Sequence, residues 1–129
     1  MNKIGEPHYF LPGGRVEEGE SVRDCVRREI KEELNTTAEV GAFVGCIEHA
    51  FETETKSYYE VGFFFEVKVR DLPHRKDNIS NEKELQFKWA PITELAKMDI
   101  RPPPVKELLT QLSKGKNYKG YWATTVERK

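Results

Sequence analysis

GRVEEGESVRDCVRREIKEELNT, residues 14–36, is the stretch whose reading decides the fold. Its second half has the marks of a helix. Ser21 is a good N-cap, and Asp24 three residues on completes a capping-box pattern. Asn35 stands where the helix should stop, and Asn is the best substitute for Gly in a left-handed C-terminal cap. Between these ends Val22, Val26, Glu29 and Glu33 fall on one line at the spacing of a buried stripe. Cys25 and Glu32 flank the line on one side and Ile30 on the other, while Arg23, Asp24, Arg27 and Lys31 make the solvated face. The stripe begins apolar and turns acidic.

Acids on an inward-facing stripe are costly unless they are paired or bound to a cation. A salt-bridge-laced surface helix is the plain alternative, but it would not put the charges on the stripe. Glu29, Glu32 and Glu33 stand at i, i+3 and i+4, so their carboxylates can converge on one point. Hard oxygen donors crowded in this way suit magnesium, which completes its octahedron with water and substrate phosphates. The helix therefore reads as a platform for a magnesium-bound phosphate ester.

The same residues resemble the signature of the Nudix hydrolases, G-x5-E-x7-R-E-U-x-E-E-x-G-U, with U a bulky aliphatic. Gly14, Glu20, Arg28, Glu29, Ile30, Glu32 and Glu33 match in register. Asn35 replaces the last Gly, a mild change for the capping reason above, and Thr36 replaces the last aliphatic, which weakens a packing contact. Leu11-Pro12-Gly13 ahead of the motif, and Trp89 and Arg101-Pro102-Pro103 after it, extend the resemblance over most of the chain. So many fixed charges in one register are a far stronger signal than a lone glycine motif.

The resemblance implies a fold and a chemistry. The fold would be α+β, a Nudix-type α/β/α sandwich with a mixed sheet, spanning residues 1–129 as a single domain. The chemistry would be hydrolysis of a phosphoanhydride in a nucleoside diphosphate-linked compound, with Mg2+ or Mn2+. Glu32 and Glu33 would be the main metal ligands, and Glu29 a further ligand or the general base. Glu20 would assist at the metal through water, and Arg28 would orient the carboxylates. Gly14 would permit the loop-to-helix geometry. A further carboxylate from a later segment would come from Glu84, with Glu82 next in order. A non-catalytic module of the same fold that binds a nucleotide or ADP-ribose is the alternative, and a partner-binding helix with no nucleotide role is a third reading.

Length and composition narrow the class. At 129 residues the chain is long enough for a real core. A formal net charge of -1 with 33% charged residues gives no basic excess for a nucleic-acid backbone. No apolar run is long enough to span a membrane, and no signal peptide is visible, so a cytoplasmic location is expected. Cys25 and Cys46 read as small buried residues rather than a disulfide or a metal pair.

Along the chain, residues 1–10 are short for the two strands with which Nudix domains normally begin. The expectation is an open sheet edge that a second copy of the chain, as a homodimer, or the C-terminal tail would cover. Residues 38–51 are apolar on both parities and read as a strand covered on both faces. Residues 58–69 alternate strictly and suit an antiparallel partner. Residues 71–82 read as a loop whose His74-Arg75-Lys76 run could meet an anion, 84–90 as a strand, 92–98 as a short helix, 105–112 as a helix, and 118–126 as a closing strand or edge cover. Phe51, Tyr58, Phe64 and Trp89 are rings that could stack a nucleobase, with core packing as the alternative for each. Among these, Phe51 and Tyr58 join Arg15 and Gly14 as the candidate substrate-binding set. Arg23 could also meet phosphate, Glu60 could contact substrate or metal, and His49 is a minor candidate for a base.

Overall fold

A computed structural model describes residues 2–3, 7–70, 78–79, 85–115 and 121–127. The acidic stretch forms helix α1, Val22–Leu34. It starts where Ser21 Oγ accepts the Asp24 N–H at 3.1 Å. It stops where Asn35 adopts φ 52° and its N–H reaches Lys31 O at 3.0 Å. Both ends therefore follow from side chains that favour caps over helix interiors. Cys25, Ile30 and Glu33 are buried, and Arg23, Asp24, Arg27 and Lys31 are exposed.

Two long strands follow, β2 at Ala38–Glu52 and β3 at Ser57–Val69. They pair antiparallel from Ala38 opposite Val69 to Glu52 opposite Ser57. The register shifts between Val40 and Gly45, so β2 carries extra residues there and bends, as a bulge requires. At the other edge of β2 runs β6, Trp122–Thr124, parallel to Cys46, Ile47 and Glu48. The three strands make a mixed sheet in the order β3-β2-β6, and the C-terminal segment covers an edge of β2. A second small sheet joins β1 (Asn2–Lys3), β5 (Leu85–Phe87) and β4 (Asn78–Ile79) in the order β1-β5-β4.

After β5 the chain makes a 3-10 turn, Ile92–Lys97, and a second helix α2, Pro104–Ser113, which starts on a proline suited to the first helical turn. The main core lies between α2 and the mixed sheet, with Val44 and Ile47 from β2 packed against Leu95, Ile100, Val105 and Leu108. Phe64, Tyr121 and Ala123 pack on its margin. A smaller cluster forms on the other side, where Leu34 of α1 and Val69 of β3 meet Phe10, Leu85 and Phe87. The helices thus lie on opposite faces of the mixed sheet, an α+β layering consistent with a Nudix fold.

Three expectations need correction. The strand expected at residues 84–90 stops at Phe87, and Trp89 lies beyond it. α1 lies against the Ala38–Gly41 end of β2, where Ala38 is buried and Glu39, on the other face, is exposed. Farther on, Val44 and Ile47 are buried on one face, and Phe43 on the other is exposed. The apolar pattern misled because α1 is too short to reach along a strand of 15 residues. Cys25 is buried, as expected, whereas Cys46, expected to be buried, is partly exposed.

Candidate active site

The loop before α1 and the helix itself are joined by one side chain, Arg28. Its Nε donates to Glu20 Oε2 at 2.7 Å and its Nη2 to Glu20 Oε1 at 3.0 Å, a two-pronged fork on one carboxylate. Nη2 also donates to the Arg15 carbonyl at 2.9 Å. Nη1 donates to Glu29 Oε1 at 2.9 Å and to Glu32 Oε2 at 3.3 Å. A guanidinium has five N–H donors in a fixed plane, and here each has an acceptor. The Glu17 carboxylate stands 3.7 Å from Nη1 as well.

The loop is shaped to meet this fork. The Glu20 N–H closes a tight turn on the Glu17 carbonyl at 3.0 Å, and Gly19 within it has φ 78°, a left-handed value that suits glycine. The Glu17 N–H donates to Glu20 Oε1 at 3.2 Å. At Gly14 the constraint is space. A Cβ there would stand 2.0 Å from Glu29 Oε1, so the loop backbone lies directly on that carboxylate.

Electrostatics follow from these contacts. The Arg28 fork holds the Glu20 carboxyl down to about 2, against desolvation that pushes the other way. Arg28 is raised in turn, chiefly by its hydrogen bond to Glu20. Burial pushes the Cys25 thiol up, and the Glu20 charge adds to it. Cys25 therefore sits beside the cluster as a neutral thiol, its Sγ 3.7 Å from Arg28 Nη2.

The candidates differ in placement. Glu29 is 12% exposed, Glu32 is 51% exposed, and Glu33 is buried at 4%. The three helical carboxylates were expected to converge on one point. Instead, no three acidic, His or Cys side chains among the described residues are grouped closely enough to hold a metal ion. Glu29 and Glu32 are held on one nitrogen of Arg28, whereas Glu33 is buried. Arg15 joins the cluster through its carbonyl, and its side chain is exposed.

Phe51 and Tyr58 are elsewhere. They face each other across β2 and β3 with ring centroids 4.8 Å apart and planes 8° from parallel. From Gly41, where Arg23 of α1 touches β2, to Phe51 is roughly 30 Å of strand path. His49 stacks on Phe51 at 5.2 Å and hydrogen-bonds Thr125 Oγ1 at 2.8 Å through Nδ1, and Glu60 is exposed opposite it. Glu82, Glu84 and the 74–76 run lie outside the described residues. Glu17 was missed at the sequence level; its signal was the Glu-Glu-Gly-Glu turn that has to fold back on the helix.

A family model, the NUDIX domain, matches residues 2–112. The chain belongs to the Nudix family. Nudix proteins are hydrolases of nucleoside diphosphate-linked compounds that generally use divalent metals. The chain is also similar to "Putative nudix hydrolase 1" of Caenorhabditis elegans, 26% identical over 87 residues, which are 67% of this chain and 21% of that protein. It thus spans about a fifth of the length of that curated relative. Among the described residues no helix is long and apolar enough to cross a membrane.

Proposed function

We propose that this Nudix domain hydrolyses a phosphoanhydride bond in a nucleoside diphosphate-linked small molecule, in the cytoplasm, with Mg2+ or Mn2+. The observation that carries the reading is the Arg28 hub, which gathers Glu20, Glu29 and Glu32 from two elements beside the buried Glu33. A module that only bound a nucleotide would have no use for so many mutually repelling carboxylates.

The donor set fits the metal. Four carboxylates offer hard oxygens of the kind magnesium and manganese take, and none of the ligand types that select softer metals. Glu29, Glu32 and Glu33 would hold it, with Glu20 assisting and Glu84 a further candidate. When bound, such a cation neutralises phosphate charge and lowers the pKa of an attacking water. The chain's own residues do the rest. Arg28 ties Glu20 of the loop to the helix and keeps Glu29 and Glu32 beside it. Gly14 and the Arg15 carbonyl close the loop over Glu29, and the exposed Arg15 side chain is available to a phosphate. Glu29 is the candidate to take the water's proton, or else a further ligand to the metal.

The test is a panel of nucleoside diphosphate-linked substrates, with phosphate or nucleotide release followed in Mg2+ and in Mn2+. Metal-dependent release that Glu33→Gln removes supports the reading. Nucleotide binding without release by the folded chain would defeat it in favour of a binding module.

A further inference from the structure

One face of the mixed sheet is apolar and bare. Residues paired across the strands point to the same side, so each register row can be read directly. The row of Phe65 and Phe43 is followed by Phe63, Cys46 and Trp122, then by Val61, Glu48 and Thr124, then by Tyr59 and Ala50. α1 covers the sheet up to Phe65, where the Arg23 guanidinium lies 5.1 Å from the ring centroid. Beyond that point nothing among the described residues covers the face. Phe43 is 45% exposed, Phe63 50%, Val61 46%, Tyr59 61% and Trp122 57%. The opposite face, with Ile47 and Phe64, carries the main core. Isolated apolar residues on a surface are ordinary, but a contiguous patch of this kind marks an interaction site.

We infer that this face is a homodimer interface, on which a second copy of the chain packs its own bare face through a two-fold axis. The inference is independent of the hydrolase reading, because the face excludes Arg28 and the carboxylates of α1. Area is the first argument. With roughly 200 Å2 for a whole aromatic side chain, the four rings leave about 400 Å2 uncovered, and Val61 adds to that. A stable interface needs about 800 Å2 from each partner, of which a little over half, about 450 Å2, is apolar. The patch supplies that share and the polar rim the rest.

Satisfied polar groups are the second argument. Glu48 lies within the face, where Tyr59 donates its hydroxyl proton to the Glu48 carboxylate. That contact, which raises the Tyr59 pKa, leaves the carboxylate hydrogen-bonded when the face closes. Flat sheet faces pack in this way at about 10 Å separation.

The experiment is sedimentation equilibrium of the full chain over nanomolar to tens-of-micromolar concentration, with far-UV circular dichroism on every variant. The expected result is a monomer–dimer equilibrium. Phe63→Glu should weaken it by about 100-fold or more, since it buries a carboxylate at the centre. Trp122→Ala should weaken it by about 30-fold, the loss typical of a central aromatic anchor. If Phe63→Glu lacks the native spectrum, Trp122→Ala decides. Lys114→Glu, at the end of α2 and off the face, should leave the equilibrium unchanged. A wild-type chain that stays monomeric throughout overturns the inference. So does a dimer that neither Phe63→Glu nor Trp122→Ala weakens, open-ended association, or a monomer that instead binds phospholipid vesicles through this face.

Discussion

Gly14→Ala isolates the contact between the loop and the carboxylate cluster. An added methyl would stand 2.0 Å from Glu29 Oε1, 2.1 Å from its Cδ and 2.6 Å from Oε2. Atoms do not tolerate such separations, so something must shift. Gly14 is not among the positive-φ glycines, so alanine brings no backbone strain and the clash acts alone. The Glu29 carboxylate is the movable partner. Swinging it away gives up the 2.9 Å bond from Arg28 Nη1, made between side chains 23% and 12% exposed. A charge-assisted bond of this kind is worth about 1.5–3 kcal/mol, and water returns part of it, leaving a loss of about 1–2 kcal/mol. In a chain of this size that lowers Tm by about 3–9 °C. Turnover should fall further, by about 100-fold, because the displaced oxygen is the one assigned to the attacking water. Gly13→Ala is the control, since nothing lies within 4 Å of a Cβ there, and it should change neither quantity. Thermal unfolding and turnover of a metal-loaded substrate are the assays. In a Glu29→Ala background, Gly14→Ala should add less than about 0.5 kcal/mol, because the group it strikes is gone. Wild-type Tm and turnover in Gly14→Ala, or an undiminished cost in the Glu29→Ala background, would refute the reasoning.

Four other outcomes are expected. Glu33→Gln removes a charge with little change of volume at a buried position, so turnover should drop by about 100-fold or more while circular dichroism stays native. Arg28→Lys keeps the charge but cannot fork onto Glu20 and reach Glu29 as well; it should lower Tm by about as much as Arg28→Ala, and a wild-type Tm would speak against the hub. Thr36→Val should raise stability by about 1 kcal/mol in chemical denaturation, because Thr36 Oγ1 is buried with no hydrogen-bond partner among the described residues. The Glu20 carboxyl is held down to about 2 in the folded chain, below its unfolded value of about 4.3, so its contribution is complete above that value and fades as pH falls toward 2; the Tm gap between wild type and Glu20→Gln should narrow over that window.

The helix was legible because its signals are local. Ser21 and Asn35 cap through bonds that span three or four residues, and the stripe from Val22 to Glu33 needs only helical periodicity. The antiparallel strands were legible for the same reason, since strict alternation over 58–69 admits little else. What the alternation could not say is how far a neighbouring layer reaches. Tyr59, Val61 and Phe63 have the same pattern as Phe65, Val67 and Val69, yet only the second set lies under α1 and the small cluster around Phe87. Helix length against strand length decides this, and it is a property of the assembled layers. At the cluster the spacing of Glu29, Glu32 and Glu33 was readable, whereas the way Glu20 and Glu17 of the loop join them on Arg28 depends on the loop's fold.

Arg28 also bears on how the cluster exists at all. Two like charges 4 Å apart repel by about 4 kcal/mol at the effective dielectric of a protein surface, so Glu20, Glu29 and Glu32 would not gather unaided. The guanidinium makes gathering favourable, and it divides its acceptors into two kinds. Glu20 is gripped by two bonds from two nitrogens, and its turn at Glu17 is closed on the same carboxylate. Glu29 and Glu32 share a single nitrogen, and the bond to Glu32 is the longer. Glu20 therefore anchors Arg28 to the loop, and Glu29 and Glu32 are the acids that can turn toward a cation without dismantling the hub. Gly14 limits that movement for Glu29, which can leave the guanidinium only away from the loop backbone. The loop, more than the helix, thus sets the direction in which the carboxylate carrying the proposed base faces its substrate.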